Sequence, residues 1–370
     1  MIPRHSFAPD ILALFEERGT NAVDVPTIQP ADPFLDMAGE DLRRRIFLTE
    51  SETGATLCLR PEFTIPVCRD HIASQAGTPR RYSYLGEVFR QRREGGNEFV
   101  QAGIEDLGDT DAAAADARSI ADAHALLSRV LPGQELTIVL GDQAIFEAVL
   151  AALGLPRGWR MRLARAFGSA AMLEAALSDL ANPTRIGALP GEIAAIVAEG
   201  DHDRLAAHVT SSMTEAGLSP TAGRTPGEIA RRLIEKAELR SVRLSGEAFE
   251  ALKSFLSIKV SLERAPDALA TFATSAGLAL GSALDNFAAR AEAIGGHGLS
   301  VGSIAYDAAF GRPLDYYTGL VFEISAGDKL LAGGGRYDRL LTLLGARTAI
   351  PGVGFSVWLD RIGALREAKR

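Results

Sequence analysis

Strand-forming patterns occupy both ends of this chain, and a long stretch between them reads as helix almost throughout. Short runs rich in β-branched and aromatic residues fall at 22–25, 45–49, 56–59, 81–90 and 98–107, and again at 299–306, 316–325, 329–332 and 352–356. A strand needs hydrogen-bonded neighbours and a covered face. The two sets are therefore expected to rejoin in one sheet, which makes the core discontinuous in sequence.

Helical periodicity supplies the flanking layers. Residues 10–19 place Ile11, Leu12, Leu14 and Phe15 on one face and stop at Gly19. An alanine-rich helix is expected after Asp109 as far as Val130, a strand at 135–140, and a helix at 143–153 with apolar Ile145, Val149, Leu150 and Leu153. From 157 to 262 the helical elements are punctuated by turn signals at Asn182-Pro183, Pro190-Gly191, Ser219-Pro220 and Pro226-Gly227. The expected fold is α+β, with a core made of 1–156 and 263–370 and a helical insertion at 157–262.

Composition removes several function classes. With 370 residues, 47% hydrophobic and 23% charged, the chain is long enough for two or three domain-sized units. A net charge of −8 leaves no global positive field for nucleic acid or anionic lipid. Cys58 and Cys68 have no histidine cluster nearby and suggest neither a disulfide framework nor a zinc site; a small buried apolar role suits both. The six histidines show no metal-ligand spacing, so no metal and no cofactor is expected. The start of the chain lacks an apolar leader and no run of about 18 apolar residues occurs, which points to a cytoplasmic protein without membrane insertion.

The informative chemistry lies in two hairpins. In 98–105 the period of two puts Gln101, Gly103 and Glu105 on one face and Val100, Ala102 and Ile104 on the other. Gly86, Val88 and Arg90 share a face of the preceding strand, so a hairpin through 92–97 is expected to bring Arg90 near Gln101 and Glu105. A guanidinium fork, an amide and a carboxylate can engage a zwitterion, with room left by Gly103. The same alternation also describes a solvated sheet face with an incidental Arg–Glu pair.

The second hairpin runs from Asp315-Tyr316-Tyr317 through Ser325, turns at Gly327-Asp328 and leads into Gly333-Gly334-Gly335-Arg336-Tyr337-Asp338. No Lys-Ser or Lys-Thr follows the glycines, so they fit close backbone packing or a turn better than a phosphate loop. The tyrosines are equally compatible with core aromatics whose hydroxyls reach water.

Taken in order, these segments resemble the class II aminoacyl-tRNA synthetase core of histidyl-tRNA synthetase. Leu59-Arg60-Pro61-Glu62-Phe63-Thr64 is similar to that family's L-R-P-E-x-T, and Gly86–Arg90 to the first strand of its motif 2. Gln101–Glu105 resembles the return strand, Arg312–Thr318 resembles R-G-L-D-Y-Y-T, and Gly352–Arg361 resembles motif 3. The resemblance implies an antiparallel sheet flanked by helices. It also implies that Glu62, Thr64 and Gln101 hold the α-amino group of histidine. Arg90 and Arg312 would face the carboxylate, Glu105 and Tyr317 the imidazole, and the Tyr316–Tyr337 region would close the pocket.

The departures from the family are specific. A cation, Arg92, stands where the family has a glutamate for adenine. The loop 93–98 is short and lacks a second arginine, and Trp358 replaces a glycine under the nucleotide. Arg361 survives as a phosphate-type arginine or a helix-end ion pair. The sequence ends nine residues beyond it, leaving no room for an anticodon-binding domain of about 100 residues. The resemblance narrows to the histidyl-tRNA synthetase-like regulatory subunits of ATP phosphoribosyltransferase, which have no catalytic residues and no aminoacylation activity of their own. It implies a short-form catalytic subunit as partner in the first step of histidine biosynthesis, L-histidine as feedback effector, a homodimer within a larger hetero-oligomer, and no tRNA. A histidine-dependent adenylating enzyme and a truncated synthetase are the alternatives.

Overall fold

The structure is a computed structural model that describes residues 5–37, 39–93, 95–182, 188–218, 225–241 and 244–368. Its strands are β1 (Asn21–Ala22), β2 (Ile28–Pro30), β3 (Leu48–Glu50), β4 (Thr56–Leu59), β5 (Arg80–Phe89) and β6 (Glu98–Leu107). They continue with β7 (Thr137–Asp142), β8 (Lys259–Ser261), β9 (Ala305–Asp307), β10 (Leu320–Ala326), β11 (Lys329–Arg336) and β12 (Gly352–Trp358). Nine of them form one sheet in the order β1-β5-β6-β12-β11-β10-β7-β9-β8, antiparallel except for β1/β5 and β7/β9. β2, β4 and β3 form a separate small sheet.

The two ends of the chain meet where β6 pairs with β12, setting Gln101 opposite Trp358 and Glu105 opposite Gly354. The β6 alternation explains the layering. Val100, Ala102 and Ile104 pack into a core with Ala117, Ile120 and Leu127 of the helix Ala112–Val130. Asp111 caps that helix by accepting from the Ala114 N–H at 3.0 Å. On the opposite face Phe99 and Leu107 join Tyr82, Tyr84, Tyr337 and Trp358 in a second apolar cluster. β6 is thus buried on both sides, which excludes the solvated-face reading.

A buried ionic knot joins the helical layer to the sheet. Asp116 lies 2.7 Å from both Arg290 and Arg336, and Arg290 also pairs with Asp142. These groups come from two helices, from β11 and from β7, so their geometry fixes four elements against one another.

Between β7 and β8 the chain is helical, from Gln143–Ala152 through Arg157–Ala166, Ala170–Ala181, Gly191–Glu199, His202–Glu215 and Pro226–Ser241 to Gly246–Leu256. Trp159 is fully buried and donates to the Leu239 carbonyl at 3.0 Å, tying the first helix after Pro156 to the longest one. The structure corrects several expectations. β8 returns to the sheet at 259–261, inside the stretch read as helix, and β9 is shorter than 299–306. Leu12 is 42% exposed because it stands about 100° round the helix from Ile11, at the edge of the stripe that Ile11, Leu14 and Phe15 bury. Tyr316 and Tyr317 precede β10, and the triple glycine is strand, not turn. The expected turns at Pro183 and Ser219-Pro220, and Glu94 of the motif 2 loop, lie outside the described residues. No helix among the described residues is long and apolar enough to cross a membrane.

Candidate functional site

Glu62 stands just ahead of the helix Thr64–Ala73 and accepts the Thr64 and Ile65 N–H groups at 2.7 and 3.0 Å. The carboxylate thereby satisfies two free donors at a helix N-terminus. Burial raises its pKa, while these N–H groups and Arg90 act in the opposite direction. Thr64, the first residue of the helix, turns its hydroxyl away from the helix and donates to Glu105 at 2.7 Å.

Glu105 is the most enclosed acid of the group, 1% exposed, and burial is the main cause that pushes its pKa up to about 8. The Tyr337 hydroxyl donates to its second oxygen, and the Tyr84 hydroxyl lies 3.3 Å from the first and 2.7 Å from Ser356 Oγ. Two glycines admit this cluster. A Cβ on Gly354 would lie 1.8 Å from the Glu105 carboxylate, and one on Gly103 would lie 2.4 Å from the Tyr84 hydroxyl. The space at Gly103 is therefore filled by Tyr84 and the β12 backbone.

Arg90 corrects one part of the hairpin expectation. Across β5 and β6, Gln101 faces Gly86 and Glu105 faces Tyr82, whereas the Arg90 N–H bonds to the Asn97 carbonyl beyond the ladder. At roughly 3.3 Å per residue, Arg90 is about 26 Å along the strand from the level of Glu105. Its carboxylate neighbour is Glu62. Its Nε donates to the Pro61 carbonyl at 2.7 Å, its guanidinium lies over Phe99, and burial lowers its pKa to about 10.

Arg312 approaches from the other end of the chain. Its guanidinium lies over Gly333, where a Cβ would be 2.0 Å from Nη1, and flanks Tyr317 and Trp358 at 6.0 and 5.9 Å. This close approach is what the glycine at 333 permits. Nε sits 3.5 Å from Glu323, too poorly directed for a hydrogen bond, and Nε and Nη1 have no hydrogen-bond partner among the described residues.

These groups surround a cavity of about 100 Å³ lined by Glu62, Thr64, Arg90, Gln101, Arg312, Tyr316, Tyr317 and Tyr337. Of the expected residues, Glu105 alone lies behind the wall, reached through the Thr64 and Tyr337 hydroxyls. When Glu105 is ionised, the protons of those hydroxyls are committed to it, and their oxygens are left as acceptors for an N–H group. Gln101 Oε1, with no hydrogen-bond partner among the described residues, is a further acceptor, and Arg312 presents two donors likewise unused. The arrangement is matched to a ligand with a cationic or N–H group at one end and a carboxylate at the other.

Tyr84, Ser356, Leu42 and Arg45 belong to the site or its support and were not singled out by motif reading. The signal for Tyr84 was present, since it continues the Gly86, Val88, Arg90 alternation. Arg92 and Trp358, which depart from the synthetase pattern, and the surviving Arg361 are also engaged internally. Arg92 lies 3.6 Å over Phe99, and Arg361 lies 4.7 Å over Trp358 while donating to the Leu330 carbonyl at 2.8 Å. Both cysteines are buried and unbridged, and burial raises the Cys58 thiol to about 11, well away from a reactive thiolate.

The histidyl-tRNA synthetase family model matches residues 4–219 and 224–362. The chain belongs to that family, whose class II synthetase-like fold the sheet described above shares. Within it, the chain belongs to the ATP phosphoribosyltransferase regulatory subunits. The protein of that name from Mesorhizobium japonicum is 76% identical over 365 residues, 98% of each chain. That from Chelativorans sp. is 66% identical over 366 residues, again 98% of each. Among solved structures, an ATP phosphoribosyltransferase regulatory subunit/histidyl-tRNA synthetase from Bacillus halodurans aligns with a TM-score of 0.64 at 20% identity. It covers 97% of this chain and 78% of that one, a likeness of fold.

Proposed function

We propose that this chain binds free L-histidine in the cavity between β6, β12 and the segment 312–317, and serves as the non-catalytic regulatory subunit of an ATP phosphoribosyltransferase. The observation that carries the histidine assignment is the set of buried, unpartnered polar atoms, Gln101 Oε1 with Arg312 Nε and Nη1, in one cavity beside Glu62 and Arg90. Burying such atoms costs free energy that a complementary zwitterion offsets. Glu62, Thr64 and Gln101 receive the α-amino group, Arg90 and Arg312 the carboxylate, and Tyr317 with Glu105, acting through the Tyr337 hydroxyl, the imidazole. Tyr316 and Tyr337 close over it.

Arg361, engaged with the Trp358 ring and the Leu330 carbonyl, and Arg92, engaged with the Phe99 ring, support the absence of an adenylation step. The names borne by full-length relatives support the regulatory role. The partner is a short-form catalytic subunit, the assembly is hetero-oligomeric around a homodimer, and histidine is the feedback signal. The same reading takes 1–156 and 263–370 as the core and 157–262 as the insertion, with β8 at its end rejoining the core sheet. Regulation requires that histidine bind the active and inhibited assemblies with different affinity, by about 1–3 kcal/mol in typical systems.

The test is co-expression with a short-form phosphoribosyltransferase. A complex should form, its activity should rise over that of the catalytic subunit alone, and histidine should inhibit it, with no inhibition in the Arg312→Met complex. Histidine-dependent ATP–pyrophosphate exchange by the isolated chain would refute the non-catalytic assignment.

A further inference from the structure

A second, larger cleft of about 450 Å³ lies on the other side of the segment 312–317 and shares Arg312, Leu314, Tyr316 and Tyr317 with the first cavity. Its outer wall is one face of the helix Arg157–Ala166, where Arg157, Arg160 and Arg165 recur at helical spacing. All three are exposed, and none of their guanidinium groups has an ion-pair or hydrogen-bond partner among the described residues. Arg162 of the same helix, which does not line the cleft, pairs with Asp179. Arg339 on the facing wall lies 3.5 Å from Glu147. Five arginines and two carboxylates, Glu147 and Asp315, line the cleft, a local positive excess on a chain of net charge −8.

We propose that this cleft binds a small molecule carrying two or more linked phosphate groups. Three solvated guanidinium groups held on one helix face repel one another, and a compact polyanion between them and Arg339 relieves that repulsion with paired, charge-assisted hydrogen bonds. A cleft backed by the 312–317 segment suits a compact ligand. An acidic stretch of a partner protein would need an open track.

The cleft is mechanically joined to the first cavity. Gly168, two residues past the end of the helix, lies against the Arg312 carbonyl, where a Cβ would be 2.2 Å from its carbon and oxygen. A Cβ on Gly311 would lie 2.5 Å from the Phe167 carbonyl oxygen. Backbone therefore rests on backbone, and a ligand that draws the helix toward the cleft moves Arg312, which carries the two unused guanidinium donors. Occupancy of the cleft changes histidine affinity; this coupling, unlike the binding itself, rests on the histidine reading above.

Calorimetry on the full chain tests both parts, with inorganic tripolyphosphate as probe and orthophosphate as comparison. Tripolyphosphate should bind once per chain and more tightly than orthophosphate. The double variant R160E/R165E should weaken it about a hundredfold. The variant R231E/R232E, which lowers net charge equally on a helix outside the cleft, should weaken it far less. Saturating tripolyphosphate should shift wild-type histidine affinity by about fivefold or more. In R160E/R165E, histidine affinity without the probe should equal wild type and the shift should vanish. No tripolyphosphate binding, equal loss in both double variants, or binding of a poly-glutamate peptide in its place would overturn the site. An unshifted histidine affinity would overturn the coupling. If histidine itself does not bind, the tripolyphosphate titration still decides the cleft.

Discussion

Replacing Glu105 by Gln keeps the shape of a buried side chain and removes its charge. In the native protein this carboxyl is 1% exposed and pushed up to about 8, from an ordinary value of 4.5. The folded state therefore holds a proton that the unfolded chain has already lost between those pH values. Glu105 contributes stability that is fully present below pH 4.5 and is lost as pH rises to about 8. At about 1.4 kcal/mol per pH unit, the window amounts to roughly 5 kcal/mol. The variant escapes this loss, so the stability difference should move in its favour by about that amount between pH 4.5 and 8.5. Urea unfolding of both proteins across this range measures it, provided the slopes agree. Parallel profiles would refute the burial argument. A wild type that gains stability with pH relative to the variant would show that the surrounding hydroxyls outweigh desolvation.

Histidine binding at pH 7 should release a proton, because a ligand N–H directed at the Thr64 and Tyr337 oxygens favours ionised Glu105; the binding heat should vary with buffer ionisation enthalpy in wild type and not in Glu105→Gln. Gly333→Ala places a Cβ 2.0 Å from the tip of Arg312, a flexible group that can swing aside. Folding stability should change little while histidine affinity falls about tenfold or more, read by calorimetry. Asp116→Ala leaves Arg290 and Arg336 buried without their shared partner and should cost about 3–5 kcal/mol in denaturant unfolding.

The parts of the fold legible in the sequence are those where side chains mark the period. The helix Ala112–Val130 and strands β4 and β6 stand within a few residues of the expected limits. β11 was cut short because three glycines carry no side chains from which a period can be read. β2 and β8, three residues each, are too short for periodicity and owe their existence to their partners. At the site, alternation grouped Gln101 with Glu105, but proximity across the hairpin needed the register. That register puts Arg90 beside Glu62 at the far end of the ladder. The pairing of Arg312 with Gly333 lay beyond any local pattern, since it depends on how the 312–317 segment crosses β11.

The seam between β6 and β12 has a consequence for how the protein comes into being. Its paired residues are more than two hundred positions apart, and closing so long a loop costs about 5 kcal/mol of chain entropy before any contact rewards it. The acceptors Glu62 and Gln101 are synthesised early, the donors of Arg312 and the wall at Tyr337 and Trp358 late. An incomplete chain holds half of a binding site and has no affinity to report. Once the seam closes, each bound ligand molecule adds its own free energy to keeping it closed. On the proposed reading, the amino acid is thus a signal that only finished molecules can receive, and one that favours their staying finished.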